Sequence, residues 1–229
     1  NRQIDARYSL AVVLYEAGKY AEAVKECKTV LGDKNSRYAA AARFQLGLSQ
    51  WAAGDVSAAR PTFQQIVKQD ASRKPHAAYW LARCDMADEK FDVARKTLIE
   101  LQASAKDIPN AEQVSYDIAV CSMSLDKYQQ GAVDFEAYRK AFPEGPKFID
   151  TLYRQAFCLH KLEKYDACEK LCRQVIAAGD SPVKQAAAEL AAESLFLDGK
   201  YAAAEKELAE LVKSAKEEVS KLRFAVRIG

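Results

Sequence analysis

Residues 152–175 read LYRQAFCLHKLEKYDACEKLCRQV. A short polar turn, Leu162-Glu163-Lys164, ends at Tyr165, with spaced apolar residues on both sides of it. After the tyrosine, Cys168, Cys172 and Val175 follow at offsets of three, seven and ten. Those offsets trace one stripe of a helix with 3.6 residues per turn. Before it, Ala156 stands nine residues back in a second helical run. The stretch predicts two helices joined by a tight turn, with a small residue on each helix where they cross.

The same arrangement recurs along the chain. A bulky residue follows a polar turn at Tyr20, Val56, Phe91, Tyr128, Tyr165 and Tyr201, with separations of 36, 35, 37, 37 and 36 residues. A period of this length marks a solenoid, in which each unit buries its apolar face on its neighbours. Nine residues before these anchors stand Ala11, Gly47, Ala82, Ala119, Ala156 and Ala192. Three residues after them stand Ala23, Ala59, Ala94, Gly131, Cys168 and Ala204. Small side chains in both columns let two antiparallel helices approach closely. Seven after come Cys27, Phe63, Leu98, Phe135, Cys172 and Leu208, and ten after come Val30, Ile66, Leu101, Tyr138, Val175 and Leu211. Every one is apolar.

The punctuation agrees with the period. Gly18, Gly54 and Gly199, each just before an anchor, suit the left-handed conformation that ends a helix. Pro75, Pro109, Pro146 and Pro182 fall where a new first helix should begin, and proline is tolerated there because that N–H has no helical partner. Ser181 is a candidate N-cap. The expected helix pairs are 3–17 with 20–31, 36–53 with 56–69, 74–88 with 91–104, 110–126 with 128–141, 147–162 with 165–178, and 182–198 with 201–214. Pro61 conflicts with this scheme and predicts a bend or a late start in its helix.

Bulk composition narrows the function. The 34 basic and 32 acidic side chains leave a formal net charge of +2, which gives no reason to expect nucleic acid or an anionic membrane as main partner. No run approaches the ~18 apolar residues of a membrane span. The first residue is Asn1, and we read the chain as a piece of a longer protein. All six cysteines fall in helical segments where other repeats carry small or apolar residues, so reduced core cysteine is the expected state.

These columns resemble the tetratricopeptide repeat family. The resemblance runs from about Ile4 to Lys213 and rests on the small columns, the anchor tyrosines and the apolar positions after them. Tyr138-Arg139-Lys140-Ala141-Phe142-Pro143 also matches the family's closing apolar-proline signature. Phe142-Pro143-Glu144-Gly145-Pro146, followed by Leu152-Tyr153, looks like a bacterial branch that includes periplasmic Tol–Pal coordinator-type and outer-membrane assembly lipoprotein repeats. Departures are the period above the family's usual ~34, Val56 at an anchor, Cys168 in a small column, and Pro61.

The resemblance implies an all-α fold, a right-handed α-solenoid of about six repeats in a single domain over 1–229. Its repeats are expected at about 3–32, 36–70, 74–105, 109–143, 146–179 and 181–214, with 216–228 a capping helix or the start of a seventh repeat. Val219, Leu222, Phe224, Val226 and Ile228 give that tail apolar content that must fold back or mediate self-association.

In this family the first helices line a groove that holds peptides or partner segments, at positions twelve and eight before each anchor. The resemblance carries that role to Tyr8, Phe44, Leu48, Tyr79, Arg83, Tyr116, Val120, Tyr153 and Phe157. The implied function is a non-catalytic scaffold with an aromatic-lined groove for a protein or peptide. The same rings also suit packing between adjacent first helices. In the other functional reading the solenoid spaces or oligomerises parts of a larger, envelope-type assembly. Chaperone-binding members clamp a terminal carboxylate with Lys and Asn at these positions; this chain has neither there.

No active site, metal or cofactor is expected. The chain has two histidines and no Gly-rich phosphate loop, nucleophile elbow or metal-binding helix motif. His160 occupies a column of Tyr15, Trp51, Met86, Met123 and Phe196, which implies packing, and His76 sits beside Pro75 at a helix start. Cys168 and Cys172 share a helix face, but zinc needs four convergent ligands and the customary spacings are absent. Free cysteines point to the cytoplasm and the branch resemblance to the bacterial periplasm; the resemblance is given the greater weight.

Overall fold

A computed structural model describes residues 2–104 and 110–214. Among them are twelve α-helices and no strand: α1 Arg2–Glu16, α2 Tyr20–Gly32, α3 Ala39–Ala52, α4 Val56–Gln69, α5 Lys74–Ala87, α6 Phe91–Ser104, α7 Ala111–Ser124, α8 Tyr128–Ala141, α9 Phe148–Lys161, α10 Tyr165–Ala177, α11 Lys184–Leu197 and α12 Tyr201–Ser214. Each even-numbered helix begins at an anchor residue. No helix of the described residues is long and apolar enough to cross a membrane. The expected segment 216–228 lies outside the described residues.

The anchors mark a turn that is the same in all six hairpins. The residue two before each anchor is left-handed: Gly18, Gly54 and Gly199, but also Glu89, Asp126 and Glu163, with φ between 56° and 80°. The next N–H reaches back five residues to a carbonyl of the first helix. Lys19 N donates to Leu14 O at 2.8 Å, Asp55 N to Gln50 O at 2.9 Å, Lys90 N to Asp85 O at 2.8 Å, and Lys127 N to Ser122 O at 3.0 Å. Lys164 N to Leu159 O and Lys200 N to Leu195 O, both 2.9 Å, complete the set. This is the Schellman closure, which satisfies carbonyls that a helix end leaves open.

Contacts divide the chain into two compact units, Asn1–Val114 and Ser115–Gly229. In the first, each helix from α1 to α5 packs on the next in sequence, ending with α5 on α6. In the second, α8 through α12 do the same, and α7 meets α8 through Ser122 Oγ, which donates to Asp134 Oδ2 at 2.6 Å. Each unit has the architecture of an α-solenoid, built from local helix pairing.

All four recurring columns are buried. Ala11, Ala82, Ala119, Ala156 and Ala192 have no exposed surface, and Gly47 and Gly131 are also buried. The residues seven and ten after the anchors, from Cys27 and Val30 to Leu208 and Leu211, form the body of the core. A methyl group added at Gly47 would stand 2.6 Å from Phe63 Cε1, so the ring takes the space of a side chain. All six cysteines are free and buried, and burial pushes the Cys27 and Cys158 thiols up to about 12.

The late start allowed for at Pro61 and the cap expected at Ser181 do not occur. Pro61 neither delays nor interrupts α4, which runs from Val56 to Gln69. The proline is exposed in the second turn, where the bond it forfeits belongs to the exposed Ser57. Asp55 offsets part of the loss, accepting from Ala58 N at 3.0 Å and Ser57 Oγ at 2.8 Å. Ser181 does not cap α11 with its side chain; its Oγ is buried without a partner, and its carbonyl accepts from Lys184 N at 3.1 Å instead.

Candidate functional site

The first helices carry the candidate residues, and in the first unit most of them are built into aromatic packing. Tyr8 is half-buried and stacks on Tyr38 at 4.7 Å. Phe44 meets Phe63 at 6.1 Å and His76 at 5.9 Å, and Leu48 packs in the same cluster. Tyr79 is only 3% exposed and belongs to the core. Arg83 Nη1 donates to its hydroxyl at 3.0 Å while the guanidinium lies 5.1 Å from the Trp51 ring. Trp51 in turn meets Trp80 at 4.9 Å.

In the second unit the corresponding residues are half-buried and tied to charge. Tyr116 packs edge-on against Phe135 and Tyr138, and its hydroxyl donates to Asp150 Oδ2 at 2.7 Å. Arg154 Nε donates to the same oxygen at 2.7 Å. Burial first, then Asp150, pushes the Tyr116 phenol up, so it stays a neutral donor. Lys147 Nζ sits 4.8 Å and the Arg154 guanidinium 5.7 Å from the Tyr116 ring centre. Val120 lines the same cluster. Tyr153 packs against the core between α9, α10 and α11, and burial pushes its phenol up as well. Phe157 meets the anchor Tyr128 at 6.3 Å and carries Lys161 Nζ 5.4 Å from its ring centre.

Trp80, Lys147, Arg154 and Lys161 lie outside the recurring columns of the sequence. The three cations are spaced seven residues apart, Lys147 just ahead of α9 and the other two on it. At the offset of Lys147 two other repeats carry a cation, Arg2 and Arg73, whereas no other repeat has a basic residue at the offsets of Arg154 and Lys161.

The remaining chemistry is packing chemistry. His160 is half-buried, meets the anchor Tyr165 at 5.7 Å, and its Nδ1 lies 2.9 Å from Ser194 Oγ. Tyr15 with Tyr20 and Phe196 with Tyr201, both at 5.5 Å, make the same stack across their turns. Ser194 Oγ donates to Cys168 Sγ at 3.2 Å, and Cys168 Sγ lies 4.0 Å from Cys172 Sγ. The Cys172 thiol is pushed up, first by Cys168 and then by burial. Among the described residues no three His, Cys, Asp or Glu side chains gather to hold a metal ion. A cavity of about 200 Å³ beside α1 is lined by Ile4, Asp5, Asp33, Asn35, Ser36 and Arg37, and Arg37 is already paired with Asp5 at 2.8 Å.

Residues 50–115 match the tetratricopeptide repeat family model. Among curated proteins no sequence matches. Solved structures share the fold at low identity. A tetratricopeptide repeat protein from Parabacteroides merdae has a TM-score of 0.73 at 14% identity, covering 100% of this chain and 86% of its own. Pseudomonas aeruginosa PilF has a TM-score of 0.72 at 15% identity, covering 98% and 97%. The C-terminal part of a repeat-containing protein from Cytophaga hutchinsonii has a TM-score of 0.74 at 16% identity, covering 95% and 86%. The family model thus covers residues 50–115, and the solved structures show that the chain shares the tetratricopeptide-repeat fold. The envelope-branch part of the resemblance gains no support from them.

Proposed function

We propose that this tetratricopeptide-repeat chain is a non-catalytic scaffold that holds a protein segment along its first helices, with the second unit's face as the principal contact. One observation supports this reading most. Tyr116, Val120, Tyr153 and Phe157 are half-buried, whereas the seam residues behind them have no exposed surface. Rings anchored on one edge and open on the other give contact area at little entropy cost. In the first unit Tyr79 contributes to the core and Arg83 to holding it, while Tyr8 and Phe44 are half-buried like the rings of the second unit.

Site-specific photo-crosslinking in the producing organism tests the proposal. A photoreactive residue at Tyr153 or Phe157 is expected to capture a partner, while one at Ile99 or Val133, exposed on second helices, captures little. Equal capture from both faces ends the groove reading. The proposal includes the envelope setting implied by the resemblance, which fractionation of the same cells checks.

A second reading has its own support. Phe196, Leu197 and Tyr201 are 50%, 50% and 63% exposed at the α11–α12 hairpin, an apolar surface suited to oligomerisation or assembly. Concentration-dependent light scattering that shifts on Tyr201→Ser with Phe196→Ser favours this alternative.

A further inference from the structure

We propose that the α9 face binds an acidic segment in extended, polyproline-II form, with Lys147, Arg154 and Lys161 taking carboxylates at successive steps. This inference rests on the groove reading and names the chemistry of its partner. Lys147 is the residue just ahead of α9, and the other two follow at seven-residue steps, which places all three on one face. At 1.5 Å rise per residue, neighbouring charges are roughly 10 Å apart.

Asp150 pairs with Arg154, whereas Lys147 and Lys161 are positioned without a carboxylate within ion-pair distance among the described residues. Each lies against a ring: Lys147 and Arg154 on Tyr116, Lys161 on Phe157. Those contacts restrict long side chains before any ligand arrives, which lowers the entropy lost on binding. The carboxylate paired with them is Asp150, and it takes only Nε of Arg154. The two Nη groups of Arg154 and the ammonium groups of Lys147 and Lys161 have no carboxylate partner among the described residues. These positions are offset from those twelve and eight before the anchor, so this is not a clamp for a chain terminus built at the groove columns.

The spacing selects the ligand's form. A polyproline-II segment has three residues per turn at about 3.1 Å rise, so every third side chain faces one way about 9 Å apart. Acidic residues at every third position therefore meet the three cations in register. Apolar residues between them reach Tyr153 and Phe157. Arg154 presents a planar fork suited to a two-oxygen contact.

Three synthetic peptides, each about twelve residues and labelled with fluorescein, test the inference against the whole chain. They carry Glu, Gln or Lys at every third position, with the same proline and phenylalanine residues between. Fluorescence anisotropy should give the Glu peptide the lowest Kd, about tenfold below the Gln peptide. Salt raised from about 50 to 500 mM should erase most of that difference, since exposed charges are screened beyond a few ångströms. Among the described residues the Lys147 and Lys161 side chains make no hydrogen bond, so Lys147→Glu and Lys161→Glu should each weaken the Glu peptide several-fold at unchanged Tm. Equal Kd values for Glu and Gln peptides overturn the acidic partner; if Tyr153→Ala then weakens both, the groove reading survives. Tightest binding by the Lys peptide, or Glu-peptide binding indifferent to both lysine substitutions, overturns the inference.

Discussion

At the crossing of hairpin 2, Gly47 faces the ring of Phe63; at the crossing of hairpin 5, Ala156 and Cys168 leave room only for Cys172. Both crossings are fully buried, and both hairpins keep a branched aliphatic residue three positions on, Ile66 and Val175. The two fill a similar gap between antiparallel helices with different partitions of volume. Where the residue seven after the anchor is a phenyl ring, a small column drops to glycine; where it is Cys or Leu, both small columns carry a side chain. Hairpin 4 qualifies the rule. A methyl group at Gly131 would meet Cys158 Sγ at 3.2 Å and the Met123 backbone nitrogen at 3.4 Å, not Phe135. The same residue type thus clears space for a ring in one hairpin and for a neighbouring helix in another.

Phe63→Ala is the strongest way to break the comparison. It removes a ring with no exposed surface, and its cavity should cost about 3–5 kcal/mol by urea unfolding. Cys172→Ala, at the matching place in hairpin 5, removes one sulfur and should cost less than half as much. Comparable losses would show that the two crossings are not packed by different partitions.

Gly47→Ala sharpens the comparison from the other side. The added methyl at 2.6 Å from Phe63 Cε1 forces the ring or the helix to move, at about 1–3 kcal/mol. Combining it with Phe63→Leu should cost less than the two single changes added, because leucine vacates the ring edge. A strictly additive double mutant would deny that the two residues share one volume. Ala156→Leu overfills hairpin 5 and should likewise cost about 1–3 kcal/mol by the same measurement.

The crossings were legible in the sequence because they rest on recurring columns, and the six second helices start at their anchors for the same reason. What differs between repeats was harder to read. Tyr79, Tyr116 and Tyr153 share a column, yet Tyr79 is in the core while the other two are half-buried. Tyr79 meets Trp80 at 5.5 Å and lies under Arg83, neighbours that its column mates lack. Arg154 and Lys161 follow Lys147 at seven-residue steps, and neither has a basic counterpart at its offset in another repeat. Pro61 passed as a conflict because the pattern does not reveal that its lost bond falls on an exposed carbonyl.

The turns of the same two hairpins supply the smallest test. Hairpin 2 closes on Gly54 at φ +80°, whereas hairpin 5 closes on Glu163 at φ +59° with the same hydrogen bond reaching five residues back. Glycine bears no Cβ penalty in that conformation, while an L side chain there costs roughly 1 kcal/mol. Gly54→Ala should therefore lower stability by about 1 kcal/mol. Glu163→Gly relieves the penalty but frees the unfolded chain, so its gain should be smaller, about half a kcal/mol. Chemical denaturation of both variants reads the pair directly. If Glu163→Gly instead destabilises hairpin 5, its glutamate contributes more by constraining the unfolded turn than it costs in the folded one. The glycine-free turns at Glu89, Asp126 and Glu163 would then be as well suited to the Schellman closure as those built on glycine.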